Sequence, residues 1–113
     1  MSQVTTHILD TSKGEPAQKV TVHLERPNNS DGWVNISTGL TDKQGRISDF
    51  LPTDEILEAG IYRLVFETSS YFSKQGVWGF YPLITIVFEI RDKEHYHVPL
   101  LLNPYGYSTY RGT

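Results

Sequence analysis

Apolar and polar residues alternate along most of this chain in short runs separated by turn-forming residues. Val20, Val22 and Leu24 alternate with Thr21, His23 and Glu25, and Ile84, Ile86, Phe88 and Ile90 repeat the pattern later. Successive side chains of a strand point to opposite faces, so a period of two marks strands with one buried face. Asp10-Thr-Ser-Lys-Gly14, Pro27-Asn-Asn-Ser-Asp-Gly32 and Thr41-Asp-Lys-Gln-Gly45 punctuate the runs. Strands are predicted over Val4–Leu9, Lys19–Arg26, Trp33–Leu40, a short stretch from Arg46, Ile61–Thr68, Leu83–Ile90, Tyr96–Leu102 and Tyr107–Tyr110. Asp54–Ala59 reads as one helical turn. Ser69–Gly76 reads as a short helix, with a serine available as its cap and a glycine at its end. The sum is an all-β fold, an eight-stranded antiparallel β-sandwich with one short helix.

The last nineteen residues, His95–Thr113, carry two of the four histidines, four tyrosines, a serine and an arginine. Asn103-Pro-Tyr-Gly106 is a turn cluster, so the segment reads as a hairpin. A four-residue loop pairs Leu102 with Tyr107, Leu101 with Ser108, Pro99 with Tyr110 and His97 with Gly112. Opposed residues share a face. One face therefore holds His95, His97, Pro99, Leu101, Ser108, Tyr110 and Gly112. The other holds Tyr96, Val98, Leu100, Leu102, Tyr107 and Thr109 and is expected to be core. By the same parity Thr5, His7 and Leu9 point outward from the first strand. Each histidine-bearing face has a leucine beside it, as a surface covered by a partner subunit would. Pro99 is out of place in a strand interior, because it removes a ladder donor.

At 113 residues the chain is read as a single domain, 1–113, long enough to bury a core. It has no cysteine, which removes disulfides and thiolate chemistry. No stretch approaches membrane-spanning length and the start lacks a signal-peptide pattern, so no membrane role is expected. The net charge of −3, with acids and bases interspersed, gives nucleic acid no electrostatic footing. A reducing, soluble compartment is expected: the cytoplasm, with the peroxisome as the alternative. The sequon Asn35-Ile-Ser37 would then be inert.

Four blocks of the chain resemble one family: Thr6-His-Ile-Leu-Asp-Thr-Ser-Lys-Gly-Glu-Pro-Ala17, Thr41-Asp-Lys-Gln-Gly-Arg46, Gly76-Val-Trp-Gly-Phe-Tyr-Pro82 and His95–Thr113. These are similar, in order and spacing, to the 5-hydroxyisourate hydrolases, the transthyretin-like enzymes of urate breakdown. The tail Tyr107-Ser-Thr-Tyr-Arg-Gly-Thr113 resembles the family's closing Tyr-Arg-Gly-Ser signature, with threonine in place of the final serine. The resemblance implies a homotetramer, a dimer of dimers with active sites at subunit interfaces. It also implies metal-free, cofactor-free hydrolysis of 5-hydroxyisourate to 2-oxo-4-hydroxy-4-carboxy-5-ureidoimidazoline. His7, Arg46, His97 and Ser108 match the family's catalytic positions. His7, Arg46, Tyr110 and Arg111 match positions for substrate binding, although hairpin parity points Arg111 to the opposite face.

Those residue types suit the chemistry. Histidine titrates near neutrality, so His7 or His97 can serve as base and then acid; which one is the base stays open. Arg46 offers a planar fork of donors to an anionic substrate with adjacent carbonyls. Ser108 and Tyr110 supply neutral hydrogen bonds.

Three alternatives stand beside this. His95 and His97, at i and i+2 on one face, could join His7 in a three-histidine zinc site, though no carboxylate is placed to support it. A hormone carrier like transthyretin shares the fold, but carriers have lysine and glutamate where this chain has His7 and Arg46, and they lack the Tyr-Arg-Gly ending. An inert structural sandwich would need none of these residues. His23 is read as surface, Trp33 as packing, and Trp78 as packing or interface.

Overall fold

In the computed structural model, which describes residues 1–113 throughout, the alternating runs form nine strands and one helix. The strands are β1 Val4–Asp10, β2 Glu15–Pro16, β3 Thr21–Pro27, β4 Trp33–Leu40, β5 Arg46–Ile47, β6 Gly60–Phe66, β7 Ile84–Ile90, β8 Tyr96–Asn103 and β9 Gly106–Thr109. The helix α1, Thr68–Ser73, lies between β6 and β7. One sheet runs β2-β1-β8-β9, with β5 also on β1, and the other runs β4-β3-β6-β7. β2 and β5 share one edge of β1, at Leu9–Asp10 and at Thr6–His7 respectively. The inner faces meet in one core built from Ile8, Leu24, Leu64, Phe66, Leu100 and Leu102 with their neighbours. Burying a side chain of that size is worth about 1.5–3 kcal/mol. No helix is long and apolar enough to cross a membrane.

Eight of the nine strands are those expected from the periodicity. The ninth, β2, is a two-residue piece that returns after the turn at Gly14, whose φ is +64°. One pairing departs from the antiparallel expectation. β1 and β8 run parallel, with Thr5 beside His97, His7 beside Pro99 and Leu9 beside Leu101. No short connection joins these two strands, so turn geometry does not dictate their relative direction.

Two local expectations are corrected. Residues 54–59 form no helix; the segment turns, with Glu55 N–H donating to the Pro52 carbonyl at 3.1 Å. The short helix begins one residue before Ser69, and its cap position, Glu67, makes no side-chain capping bond. Gly76, at φ +68°, lies just past its end.

The hairpin has the predicted register: Leu102 opposite Tyr107, Leu101 opposite Ser108, and a bridge from His97 to Gly112. Its turn is tighter than expected, because Asn103 and Gly106 also pair. Tyr107 and Thr109 do not enter the core. β9 is the last strand of its sheet and overhangs it, so both side chains are exposed. Tyr107 instead meets the Tyr81 ring edge-on at 5.4 Å.

α1 is held to β1 by a buried polar pair. Asp10 is 1 % exposed and accepts hydrogen bonds from Tyr71 Oη at 2.7 Å and from Ser12 N–H and Oγ at 3.0 and 2.6 Å. Burial, and the bond to Asp10, push the Tyr71 hydroxyl up to about 12, so it stays a donor. Tyr71→Phe removes one donor from a buried acceptor and is expected to cost about 1–3 kcal/mol, read as a lower urea midpoint at unchanged slope.

Candidate active site

The parallel β1–β8 pairing lays the outward side chains in rows across the sheet. Arg46 pairs with His7, and His7 with Pro99, which stands opposite Tyr110. Thr5 pairs with His97, which faces Gly112. Leu9 pairs with Leu101, which faces Ser108. His7, Arg46, His97, Ser108 and Tyr110 thus occupy one face of one sheet, with strands about 4.8 Å apart.

Pro99 has a role in this layout. β8 is an interior strand, and Pro99 has no N–H to give Tyr110. The β8–β9 ladder stops at Leu100–Thr109 and returns only where Gly112 N–H donates to the His97 carbonyl at 2.9 Å. The Pro99 carbonyl is satisfied by Thr109 Oγ1 at 2.7 Å. Residues 110 and 111 are therefore released from regular pairing. Arg111 turns away from the face that bears His97. Its guanidinium lies 4.4 Å from the centre of the Tyr96 ring, and its Nη2 donates to the His95 carbonyl at 3.5 Å.

Arg46 is aimed by the turn before it. The Asp42 carboxylate accepts from Gln44 N–H at 2.8 Å and Arg46 N–H at 3.0 Å, while Gly45 N–H donates to the Asp42 carbonyl at 2.9 Å. The bonds from the Arg46 and Gln44 backbones hold the Asp42 carboxyl below the usual range. Gly45 sits at φ +75°, where a side chain is strained.

Both candidate bases favour their neutral forms. Burial, then the Arg46 guanidinium, push His7 below its ordinary pKa, against the pull of the Gln44 backbone and Asp42. Burial, then the charges of His95, Arg46 and His7, push His97 down as well. A neutral imidazole beside a fixed cation can accept a proton from water. The His97 ring also explains the penultimate glycine: a Cβ on Gly112 would stand 2.5 Å from His97 Cδ2.

The shared face is open to solvent. A groove of about 600 Å³ between β7 and the C-terminal segment takes in His97, Tyr110 and Arg111 but not His7, Arg46 or Ser108. The three-histidine alternative is not assembled, since no three His, Asp or Glu side chains come close enough to share an ion. Thr5 and Asp42 belong to the site's surroundings and were missed in the sequence. Outward parity marked Thr5, but only the parallel pairing puts it against His97. Asp42 looked like ordinary turn punctuation. His23, expected at the surface, is half-buried on the other sheet, hydrogen-bonded to Glu67 and to Thr38. Trp33 packs under the Arg63 guanidinium at 4.3 Å.

Known proteins share this sequence pattern and this fold. The chain is 46 % identical over 108 residues to a 5-hydroxyisourate hydrolase of Salmonella dublin, covering 95 % of this chain and 78 % of that protein. The 5-hydroxyisourate hydrolase structure from Klebsiella pneumoniae matches with a TM-score of 0.85 at 39 % identity, covering 97 % of this chain and 92 % of the other. Sea bream transthyretin in complex with thyroxine matches with a TM-score of 0.90 at 32 % identity, covering 99 % and 96 %. The model of the HIUase/Transthyretin family matches residues 4–112. With the sandwich and these relatives in agreement, the chain belongs to the HIUase/Transthyretin family.

Proposed function

We propose that residues 1–113 act as one hydrolase domain that opens 5-hydroxyisourate to 2-oxo-4-hydroxy-4-carboxy-5-ureidoimidazoline in urate degradation, without metal or cofactor. The observation that carries this is the pairing of His7 with Arg46 on the outward face that also bears His97. A water made nucleophilic by one imidazole attacks a ring carbonyl. Arg46 anchors the substrate's oxygens and stabilises developing negative charge. Ser108 and Tyr110 orient the ring, and Arg111, lying over Tyr96, supports the chain end rather than the substrate face. The imidazolium then protonates the leaving nitrogen.

Fold alone does not separate enzyme from carrier, because the transthyretin likeness is as close in backbone as the hydrolase one. Ultraviolet absorbance of freshly made 5-hydroxyisourate decides between them. An enzyme accelerates its decay; a carrier binds and leaves the decay unchanged. The pH profile gives a second check. Both histidines are shifted down, so their neutral forms persist as pH falls through 6.5. The acid limb of kcat/KM is expected below about 6.5, the free-histidine value. A limb at or above that value would mean that the essential base is not a histidine shifted down in this way.

The working unit is a homotetramer, a dimer of dimers with sites where subunits meet. The open face supports this, since a second copy would supply its roof. So do the free edges of β7 and β9 and the exposed Trp78, Phe80, Leu83 and Val87. Trp78 and Phe80 stack edge-on at 5.9 Å, and Trp78 and Tyr105 at 6.0 Å, which presents a preformed aromatic surface. The compartment we assign, cytoplasm with peroxisome as the alternative, is supported by the sequence alone.

A further inference from the structure

The Thr5 hydroxyl sits between two imidazoles. Its Oγ1 is 2.8 Å from His95 Nε2 and 2.8 Å from His97 Nδ1. Thr5 is 5 % exposed, and the two rings lie nearly parallel, 27° apart with centroids separated by 6.1 Å. A hydroxyl has one proton, so it donates to one ring and accepts from the other. The tautomers of the two histidines are therefore coupled. The ends of this chain open in different places: His97 lines the groove beside Tyr110, whereas His95 lines a separate shallow depression with Ser2, Gln3 and Lys93.

We propose that Thr5 and His95 are positioning residues that form a proton relay for His97, linking it to solvent at the separate depression that His95 lines. The inference rests on the hydrolase function proposed above. At the start His97 carries its proton on Nδ1 and donates it to Thr5, leaving Nε2 free. When Nε2 takes a proton from the attacking water, the Nδ1 proton passes to the Thr5 oxygen. Thr5's own proton passes to His95 Nε2. The positive charge then rests on His95, which releases a proton from Nδ1 to solvent. The reverse shift, with His95 regaining a proton, restores the starting tautomers once His97 protonates the leaving nitrogen. The new carboxyl group ionises at neutral pH, so one proton must leave the site in any case.

The need for such a relay follows from the charges around His97. The charges that act on it come from His95 on its own segment and from His7 and Arg46 on β1 and β5, while Glu89, Arg91, Asp92, Tyr110 and Arg111 line the groove that it borders. Burial and the neighbouring cations disfavour a protonated His97. Exporting the charge to His95 lets a weak base complete a turnover.

Two threonine variants and one histidine variant test this. Thr5→Val keeps the shape and is expected to lower kcat at least ~10-fold with KM unchanged, a part of what positioned proton transfer contributes. Thr5→Ser keeps the hydroxyl and should retain most of kcat. His95→Asn should lower kcat in dilute buffer and recover with added imidazole. Nitrogen-15 NMR of the ring nitrogens reads the coupling without turnover: titrating His95 should perturb His97 Nδ1 in the wild type and not in Thr5→Val. Wild-type kcat in Thr5→Val, equal losses in the valine and serine variants, or His97 nitrogens indifferent to His95 would each overturn the relay. A wild-type protein inert toward 5-hydroxyisourate but with the rings still coupled would overturn the hydrolase function and leave the coupling standing.

Discussion

His97→Asn is expected to slow ring opening by at least ~10²-fold, the lower end of what a positioned acid or base contributes. That is about 2.7 kcal/mol of lost transition-state stabilisation. Asparagine keeps a hydrogen-bonding group but cannot accept a proton. The loss should fall on kcat with KM little changed, as it does when a group acts only in the transition state. The same change at His7 is expected to match it if His7 exchanges protons. If His7 mainly holds substrate beside Arg46, with which it pairs, KM rises instead. Single-turnover absorbance traces separate the two cases. A variant at near wild-type rate would remove that histidine from the mechanism.

Gly45→Ala should produce the largest loss of stability of any single methyl added here. At φ +75° a side chain costs roughly 1–3 kcal/mol in backbone strain. The new Cβ would stand 2.5 Å from the Ile8 carbonyl, which accepts the Ala17 N–H, and relieving that collision costs about 1–3 kcal/mol more. Gly45's own carbonyl accepts Ile8 N–H at 2.8 Å, so the collision presses directly on β1. For a domain of this size each kcal/mol lowers Tm by roughly 4–8 °C. The folded fraction should also show a raised KM, because Arg46 follows immediately and shares the same turn. A Gly45→Ala protein with wild-type Tm and KM would mean that the turn relaxes freely and does not aim Arg46.

The hairpin was readable because two signals agreed. The Asn-Pro-Tyr-Gly turn set the register, and parity then sorted His97 and Ser108 from Val98 and Leu102. Tyr107 and Thr109 escaped the same logic, since parity says which way a residue points but not whether anything covers it. An edge strand has less beneath it. The Thr5–His97 contact was hidden for another reason: it depends on a pairing between the two ends of the chain, which no local turn announces. Arg111 fits the family's closing motif, yet Pro99 breaks the ladder beside it and lets it fold onto Tyr96. Residues 54–59 looked helical by composition, but six residues cannot hold a helix without packing to support it.

The parallel union of β1 and β8 has a consequence for biosynthesis. The β4-β3-β6-β7 sheet draws on the middle of the polypeptide and can zip up while translation continues. β1 leaves the ribosome early and, apart from its short pairings with β2 and β5 along one edge, must wait for the strand made almost at the end that covers its other edge. Loop closure over nearly the full length is slow, and an apolar strand left waiting is exposed to aggregation. The wall that carries His7 and His97 is thus the last part to be built, and a nascent chain stalled before β8 would hold one sheet with half of its core uncovered and without the face proposed to bind substrate.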